Sequence, residues 1–177
     1  ICKSTTGDKV LFVKENFETA PALYFSSKTE PAPKKVFQSN AHAAKYQWGT
    51  SKIITYKNDR GQELQGALFY PAGFEQGKRY PMVVYIYSNV SQLVHDYISP
   101  TMHNPIGFTP SNYTTDGYLV LYPDIKYTVG DPGKSILDCV TSAVNAVIKI
   151  GVADEKRVGL LGHSYGGYET CFLLTQT

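Results

Sequence analysis

The sequence has few of the features that mark nucleic-acid-binding or membrane proteins. Its charges nearly cancel, leaving a formal net charge of +2 over 177 residues, which gives no reason to expect nucleic acid or an acidic membrane as a partner. It contains no uninterrupted apolar stretch long enough to cross a bilayer, and no repeat or low-complexity tract. With 42% hydrophobic and 18% charged residues, the composition is that of an ordinary globular protein.

Cysteine is also scarce. Cys2, Cys139 and Cys171 are odd in number, far apart in the sequence and without the spacing of metal ligands. We interpret them as small buried hydrophobic residues rather than a disulfide framework or a zinc site. They do not decide the redox compartment, and localisation stays open between an exported, periplasmic protein and a cytoplasmic one.

Histidine offers little support for a metal site. His95 and His103 fall in one long connecting segment with Asp96, but spacing alone fixes no coordination geometry. A histidine next to an aspartate in such a segment is more often a solvated surface pair. We therefore predict no metal and no cofactor.

The most informative motif is Gly-His-Ser-Tyr-Gly at residues 162–166, which has the form of a nucleophile elbow. The short pattern alone is weak, but its flanks support it. Residues 157–161 form an apolar run suited to a buried strand, and residues 168–174 contain no helix breaker. Gly162 and Gly166 would let two backbones approach closely, and Gly167 would remove a further side chain. The alternative is a glycine-rich turn with an incidental serine.

What is missing after the motif is equally important. Only thirteen residues follow Ser164, and none of them is Asp or His. In the α/β-hydrolase fold the triad runs Ser, then Asp or Glu, then His along the chain. All four histidines, including His42 and His163, precede the serine, so none stands in the expected order. We expect both ends of the sequence to be cut from something longer.

Strands and helices alternate through most of the chain. Residues 80–87 and 117–122 are almost continuously apolar and predict strands buried on both faces. Apolar residues at helical spacing predict a helix between Asp131 as N-cap, with Pro132 at its first position, and Gly151 just past its end. The order strand, strand, helix, strand, elbow, helix predicts an α/β fold with a mostly parallel sheet.

The first part of the chain differs. Residues 10–14 and 22–25 are short strand-like runs, which suggest a hairpin of a larger all-β unit because so few strands cannot bury a core alone. A short helix is predicted over residues 40–46. A second hairpin is predicted from residues 51–56 and 64–70, around a polar turn that contains glycine.

Residues 150–168 resemble the nucleophile region of the prolyl oligopeptidase family (serine peptidase family S9). The resemblance is to its dipeptidyl-peptidase and acylaminoacyl-peptidase-like branch, and it is carried by Asp-x-x-Arg-Val-Gly followed by Gly-x-Ser-Tyr-Gly-Gly-Tyr. Residues 61–71 and the Tyr-Pro that begins the next strand also resemble that family. The resemblance implies that residues 1–45 are the terminal strands of a β-propeller. Residues 46–177 would then be the N-terminal half of an α/β-hydrolase catalytic domain, with helices on both faces of its sheet.

The resemblance also implies roles for individual residues. Ser164 would be the nucleophile, and the backbone N–H of Tyr165 would be one oxyanion-hole donor. The hydroxyl of Tyr87 would be the second donor, although a strand-end aromatic packed on its loop is the alternative. The chain departs from the family at residues 88–90, where a Gly-Pro run is usual. It departs again at residues 124–130, where a loop with Arg-Gly is usual.

The function implied is that of a serine-type peptidase acting on short peptides through an acyl-enzyme on Ser164. Its triad Asp and His would come from the missing C-terminal half of the catalytic domain. We therefore expect residues 1–177 alone to be inactive, and either poorly stable or assembled with further polypeptide, including another copy of the chain as a homo-oligomer. Two alternatives stay open, a carboxylesterase of the same fold and a non-catalytic α/β-hydrolase-like binding domain, the latter favoured by the altered residues 88–90.

Overall fold

A computed structural model describes residues 1–101 and 107–177 of the chain. The described residues form nine strands, three α-helices and two 3-10 helices. In chain order these are β1 (Cys2–Lys3), β2 (Lys9–Asn16), β3 (Thr19–Ser27), β4 (Lys34–Gln38), a 3-10 helix (Ala41–Lys45), β5 (Thr50–Lys57), β6 (Glu63–Tyr70), β7 (Tyr80–Ile86), a second 3-10 helix (Ser91–His95), α1 (Pro110–Thr114), β8 (Leu119–Pro123), α2 (Pro132–Ile150), β9 (Ala153–Gly162) and α3 (Tyr165–Leu173).

The first sheet is antiparallel, with strand order β1-β2-β3-β4. The strand runs predicted within β2 and β3 are confirmed, and both strands extend beyond them. The helix predicted over residues 40–46 is only a short 3-10 helix, entered through Asn40 in a left-handed conformation (φ 42°). Phe17, at the turn between β2 and β3, is buried against Phe69 of β6 with ring centroids 4.8 Å apart. The turn between β2 and β3 therefore packs against the second sheet.

The second sheet has strand order β5-β6-β8-β7-β9. The predicted hairpin is confirmed as β5 and β6, which are antiparallel over their whole length. Strand β6 also pairs antiparallel with β8, whereas β8, β7 and β9 are parallel to one another. The expectation of a mostly parallel sheet is therefore corrected to a mixed sheet. The short turn between β5 and β6 reverses the chain and adds both strands to the edge of the parallel set.

Side chains alternate between the two faces of the second sheet. In β7, Met82, Val84 and Ile86 belong to the cluster under α2, whereas Tyr85 belongs to the cluster on the opposite face. Helices cover both faces of the sheet. Both α2 and α3 pack on the first of them, and residues of the second 3-10 helix and of α1, Val94 and Tyr113 among them, pack on the other.

The longest helix is confirmed at both ends. It begins at Pro132 after Asp131, and Gly151 follows its last residue with φ 88°, the left-handed conformation that glycine adopts most readily. Its buried side includes Ile136, Val140 and other residues of the predicted apolar stripe. No helix in residues 1–101 and 107–177 is both long and apolar enough to cross a membrane.

The cysteines follow the prediction only in part. Cys139 is fully buried on α2, as expected of a small apolar side chain. Cys2 and Cys171 are exposed, which corrects the interpretation of all three as buried residues. Cys2 lies in a two-residue strand at the end of the first sheet, and Cys171 lies on the side of α3 away from the sheet. All three are free thiols.

Candidate active site

The central feature of the site is Ser164, which lies between the end of β9 and the start of α3. Its backbone has φ 57° and ψ −120°, a conformation that side-chain-bearing residues rarely adopt. Holding a residue in such a region costs on the order of 1–3 kcal/mol, and such residues concentrate at functional sites. The side chain is exposed. A strained, exposed serine on a strand-to-helix turn is the geometry that a nucleophile elbow requires.

Two glycines make this turn sterically feasible. A Cβ atom on Gly162 would lie 2.0 Å from the backbone oxygen of Gly166, and a Cβ atom on Gly166 would lie 2.2 Å from the backbone oxygen of Ile86. Neither position accepts a side chain without movement of backbone. Gly167 is different, because a Cβ atom there would come no closer than 3.8 Å, to the oxygen of Gly162. The absence of a side chain at Gly167 is therefore not needed for this close approach.

Two backbone hydrogen bonds close the turn around the serine. The N–H of Gly166 donates to the oxygen of His163 at 2.9 Å, and the N–H of Gly167 donates to the oxygen of Ser164 at 3.0 Å. Tyr165 is the first residue of α3, so its backbone N–H stands among the N–H groups that a helix leaves without partners inside the helix. The positive end of the helix dipole also lies there, which favours a negative charge next to Ser164.

Tyr87 follows directly after β7, at the carboxyl end of the strand next to β9 in the sheet. Its side chain is 40% exposed. Its ring atom Cδ2 lies 3.6 Å from the position that a Cβ on Gly166 would take, so the tyrosine is beside the elbow. The structure therefore brings together Ser164, Tyr165 and Tyr87 at the carboxyl ends of two neighbouring parallel strands. In open α/β sheets, ligands bind at these ends.

The loop after Tyr87 is anchored by Asp124, which follows β8. The backbone N–H groups of Val90 and Ser91 each donate to Asp124 Oδ1 at 2.9 Å, and the hydroxyl of Ser91 donates to Oδ2 at 2.7 Å. The N–H of Ile125 donates to the oxygen of Ser88 at 3.0 Å. The two segments that depart from the family pattern in sequence thus hold each other in place, and Asp124 was not singled out from the sequence.

A second residue missed in the sequence is Glu169, which lies on α3 and is fully buried. Its Oε1 accepts a hydrogen bond from the hydroxyl of Tyr127, and its Oε2 has no hydrogen-bond partner among the described residues. Burial raises the pKa of the Glu169 carboxyl above its usual range, and the hydrogen bond from Tyr127 opposes that shift. The available signal was that Glu169 is the only charged residue of α3.

The histidines do not form a metal site in the described residues. His95 and Asp96 are exposed, and no group of three His, Cys, Asp or Glu side chains in residues 1–101 and 107–177 is arranged to hold a metal ion. His103 falls outside the described residues. His163 is also exposed, next to the serine. In the part of the chain that the structure describes, no histidine or aspartate is hydrogen-bonded to the Ser164 hydroxyl.

Comparisons with known proteins find a family that matches the part of the chain containing Ser164. A model of the prolyl oligopeptidase family matches residues 114–177, which include the Ser164 motif. Human dipeptidyl peptidase 8 is 28% identical over 140 residues, covering 71% of this chain and 15% of the relative. Over residues 114–177 this chain is similar to the prolyl oligopeptidase family. It spans about 15% of the length of this relative.

Solved structures show the fold of the chain. The AtxE2 isopeptidase in its apo form superposes with a TM-score of 0.73 at 19% identity, over 98% of this chain and 28% of that protein. Dipeptidyl peptidase 4 of Porphyromonas gingivalis superposes with a TM-score of 0.70 at 20% identity, over 97% of this chain and 26% of that protein. Because nearly the whole chain superposes, both sheets follow the fold of these structures.

Proposed function

We propose that this chain is part of a serine-type peptidase that hydrolyses peptide bonds of short peptides through an acyl-enzyme on Ser164. The observation that carries the proposal is the strained backbone conformation of Ser164. The turn that holds it is so tight that neighbouring backbone leaves no room for a side chain at Gly162 or Gly166. The similarity of residues 114–177 to the prolyl oligopeptidase family supports the same reaction class.

In the proposed reaction, Ser164 Oγ attacks the scissile carbonyl carbon while its proton passes to a histidine base. The carbonyl oxygen becomes an oxyanion, which the backbone N–H of Tyr165 and the hydroxyl of Tyr87 stabilise. The C–N bond then breaks, and the amine leaves with the proton from the histidine. Water then attacks the carbonyl carbon of the remaining ester and gives its proton to the histidine. The ester C–O bond breaks, and Ser164 Oγ takes the proton back from the histidine. The reaction requires no metal ion and no cofactor.

The same proposal covers the organisation of the protein. Residues 1–45 are the terminal strands of a β-propeller, and residues 46–177 are the N-terminal half of an α/β-hydrolase catalytic domain. Support comes from the separate antiparallel sheet formed by β1–β4 and from the position of Ser164 after β9. The histidine base and the aspartate that orients it would come from the C-terminal half of the catalytic domain, since neither residue type follows Ser164 here.

Replacing Tyr87 by phenylalanine tests the second oxyanion donor. Removing one such donor lowers kcat by about 100- to 1,000-fold in enzymes of this class, so we expect a loss of that order with little change in KM. The matched control is Tyr118→Phe. Tyr118 is similarly exposed, but it precedes β8 and so lies at the amino-terminal ends of the parallel strands, away from Ser164. Equal activity of Tyr87→Phe and Tyr118→Phe in the full-length protein would contradict the role.

Substrate hydrolysis separates peptidase from esterase and from a binding domain. The full-length protein is assayed against aminoacyl and dipeptidyl nitroanilides and against simple p-nitrophenyl esters, with residues 1–177 alone as a second sample. We expect the full-length protein to cleave the peptide amides and the 177-residue chain to cleave neither class. Cleavage of esters alone would support the carboxylesterase instead, and no cleavage of any substrate would support the binding domain.

A further inference from the structure

The buried pair of Tyr127 and Glu169 connects the two elements that meet at the proposed site. Glu169 lies on α3, five residues after Ser164, and Tyr127 lies in the loop between β8 and α2. The Tyr127 hydroxyl donates to Glu169 Oε1, and the Tyr127 ring packs edge-on against Tyr165 with centroids 6.0 Å apart. Tyr127 therefore contacts the elbow helix both by its hydroxyl and by its ring.

Tyr127 also reaches the loop that follows β7. Burial and the hydrogen bond with Glu169 raise the pKa of the Tyr127 hydroxyl well above its usual value, and a hydrogen bond from the Ser88 backbone opposes that shift. The oxygen of the same Ser88 accepts from Ile125 at 3.0 Å. Ser88 itself has φ 48°, so the residue directly after Tyr87 is held in a left-handed conformation by the loop that carries Tyr127.

A carboxyl group at this position is expensive if its only role is packing. Glu169 is fully buried, and its Oε2 has no hydrogen-bond partner within the described residues. Burying a polar group without a hydrogen-bond partner destabilises the folded state, because the group loses its hydrogen bonds to water. An apolar side chain of similar size would fill the space under α3 without that cost. The distinctive property of the carboxyl is that it accepts the Tyr127 hydrogen bond.

We propose that Glu169 is a positioning residue for the hydrolytic site. Through the hydrogen bond that it accepts from Tyr127, it fixes the loop of Tyr87 and Ser88 relative to Ser164. The inference rests on the proposed function, because it assigns this pair a role in the acyl transfer at Ser164. The pair touches neither the substrate nor the reacting atoms. It acts by holding the oxyanion donors at a fixed distance and orientation from the nucleophile.

Steady-state kinetics of the full-length protein tests the role, with Tyr127→Phe, Glu169→Leu, their double variant and Glu169→Gln. Misplacing reacting groups by about 1 Å lowers rates by about 100-fold, so we expect Tyr127→Phe and Glu169→Leu each to lower kcat by about 10- to 100-fold. KM should change by less than about twofold, because substrate binding is not the affected step. Glu169→Gln should keep kcat within about twofold of the wild type, since its amide oxygen still accepts from Tyr127.

Two further measurements separate positioning from general stability. The double variant should be no slower than Tyr127→Phe alone, because both changes remove the same hydrogen bond. Tyr122→Phe is the matched control. The Tyr122 hydroxyl is buried near the end of β8 and has no partner among the described residues, so its removal should leave kcat unchanged. Thermal unfolding of each variant shows which of them are folded. If Glu169→Leu does not fold, Tyr127→Phe, which keeps the aromatic ring, still tests whether the hydrogen bond affects kcat.

The outcomes distinguish this inference from the function on which it rests. The positioning role would be overturned by an unchanged kcat in folded Tyr127→Phe, or by a loss of kcat in Glu169→Gln as large as that in Glu169→Leu. If the wild-type protein is active in the same assay, the peptidase proposal is unaffected by either result. A wild-type protein that cleaves no substrate would instead contradict the proposed function itself.

Discussion

Replacing Ser164 by alanine in the full-length protein is expected to lower kcat by about 10,000-fold or more, as removal of the nucleophile does in other serine hydrolases. The remaining groups would still bind substrate and stabilise an oxyanion, but no covalent intermediate could form. Alanine keeps the Cβ atom of serine, so the strained backbone at φ 57° meets the same steric conditions. We therefore expect the thermal unfolding midpoint of Ser164→Ala to equal that of the wild type, so that the substitution lowers activity without lowering stability.

The matched control is Ser142→Ala, at a partly buried serine of α2 that has no part in the proposed reaction. It should keep the activity and the unfolding midpoint of the wild type. If Ser164→Ala kept a substantial part of the wild-type kcat, another residue would be the nucleophile. A large fall in the unfolding midpoint of Ser164→Ala would show that the lost activity reflects folding instead.

Replacing Gly166 by alanine is expected to cause the second large loss, for a steric reason. The new Cβ would lie 2.2 Å from the backbone oxygen of Ile86, and backbone atoms must move by about 1 Å to reach an ordinary contact. Displacement of the elbow by that amount should lower kcat by about 100-fold. The strained packing should also lower the free energy of unfolding by about 1–3 kcal/mol. Activity assays and urea unfolding measure the two effects.

Gly159→Ala is the control for this substitution, because Gly159 lies on the same strand, β9, within a short distance of the elbow. A Cβ atom at Gly159 would come no closer than 4.0 Å to the backbone oxygen of Met82, which is an ordinary contact. We expect Gly159→Ala to keep wild-type activity and at least wild-type stability. Similar behaviour of the two variants would show that the close contact of Gly166 with Ile86 does not govern the elbow.

The individual elements of the fold could largely be predicted, because each has a local signal. The helix α2 has apolar residues at helical spacing between a proline start and a glycine stop, and the β5–β6 hairpin has two apolar runs around a polar turn. The order of strands in the sheet has no such signal. A buried strand such as β8 is apolar on both faces whether its neighbours run parallel or antiparallel, so the mixed sheet was not predicted.

In the site, too, features set by neighbouring residues in the sequence could be predicted, and features set by distant residues could not. Ser164 and the need for Gly162 and Gly166 follow from a five-residue motif, which defines its own geometry. The roles of Asp124 and Glu169 depend on partners 33 and 42 residues away in the chain, and no pattern around either residue indicates those partners. At Gly167 the sequence pattern does not show that the neighbouring backbone leaves room for a Cβ atom, 3.8 Å from the oxygen of Gly162.

Labelling with a fluorophosphonate probe tests the central claim most directly, because the reagent forms a covalent bond only with an activated serine. Both the full-length protein and residues 1–177 alone are treated, and the adduct is mapped by mass spectrometry. We predict an adduct on Ser164 in the full-length protein and none in the 177-residue chain, since no Asp or His follows the serine in that chain. Failure of the full-length protein to label, or an adduct on a different serine, would contradict the assignment of Ser164 as the nucleophile.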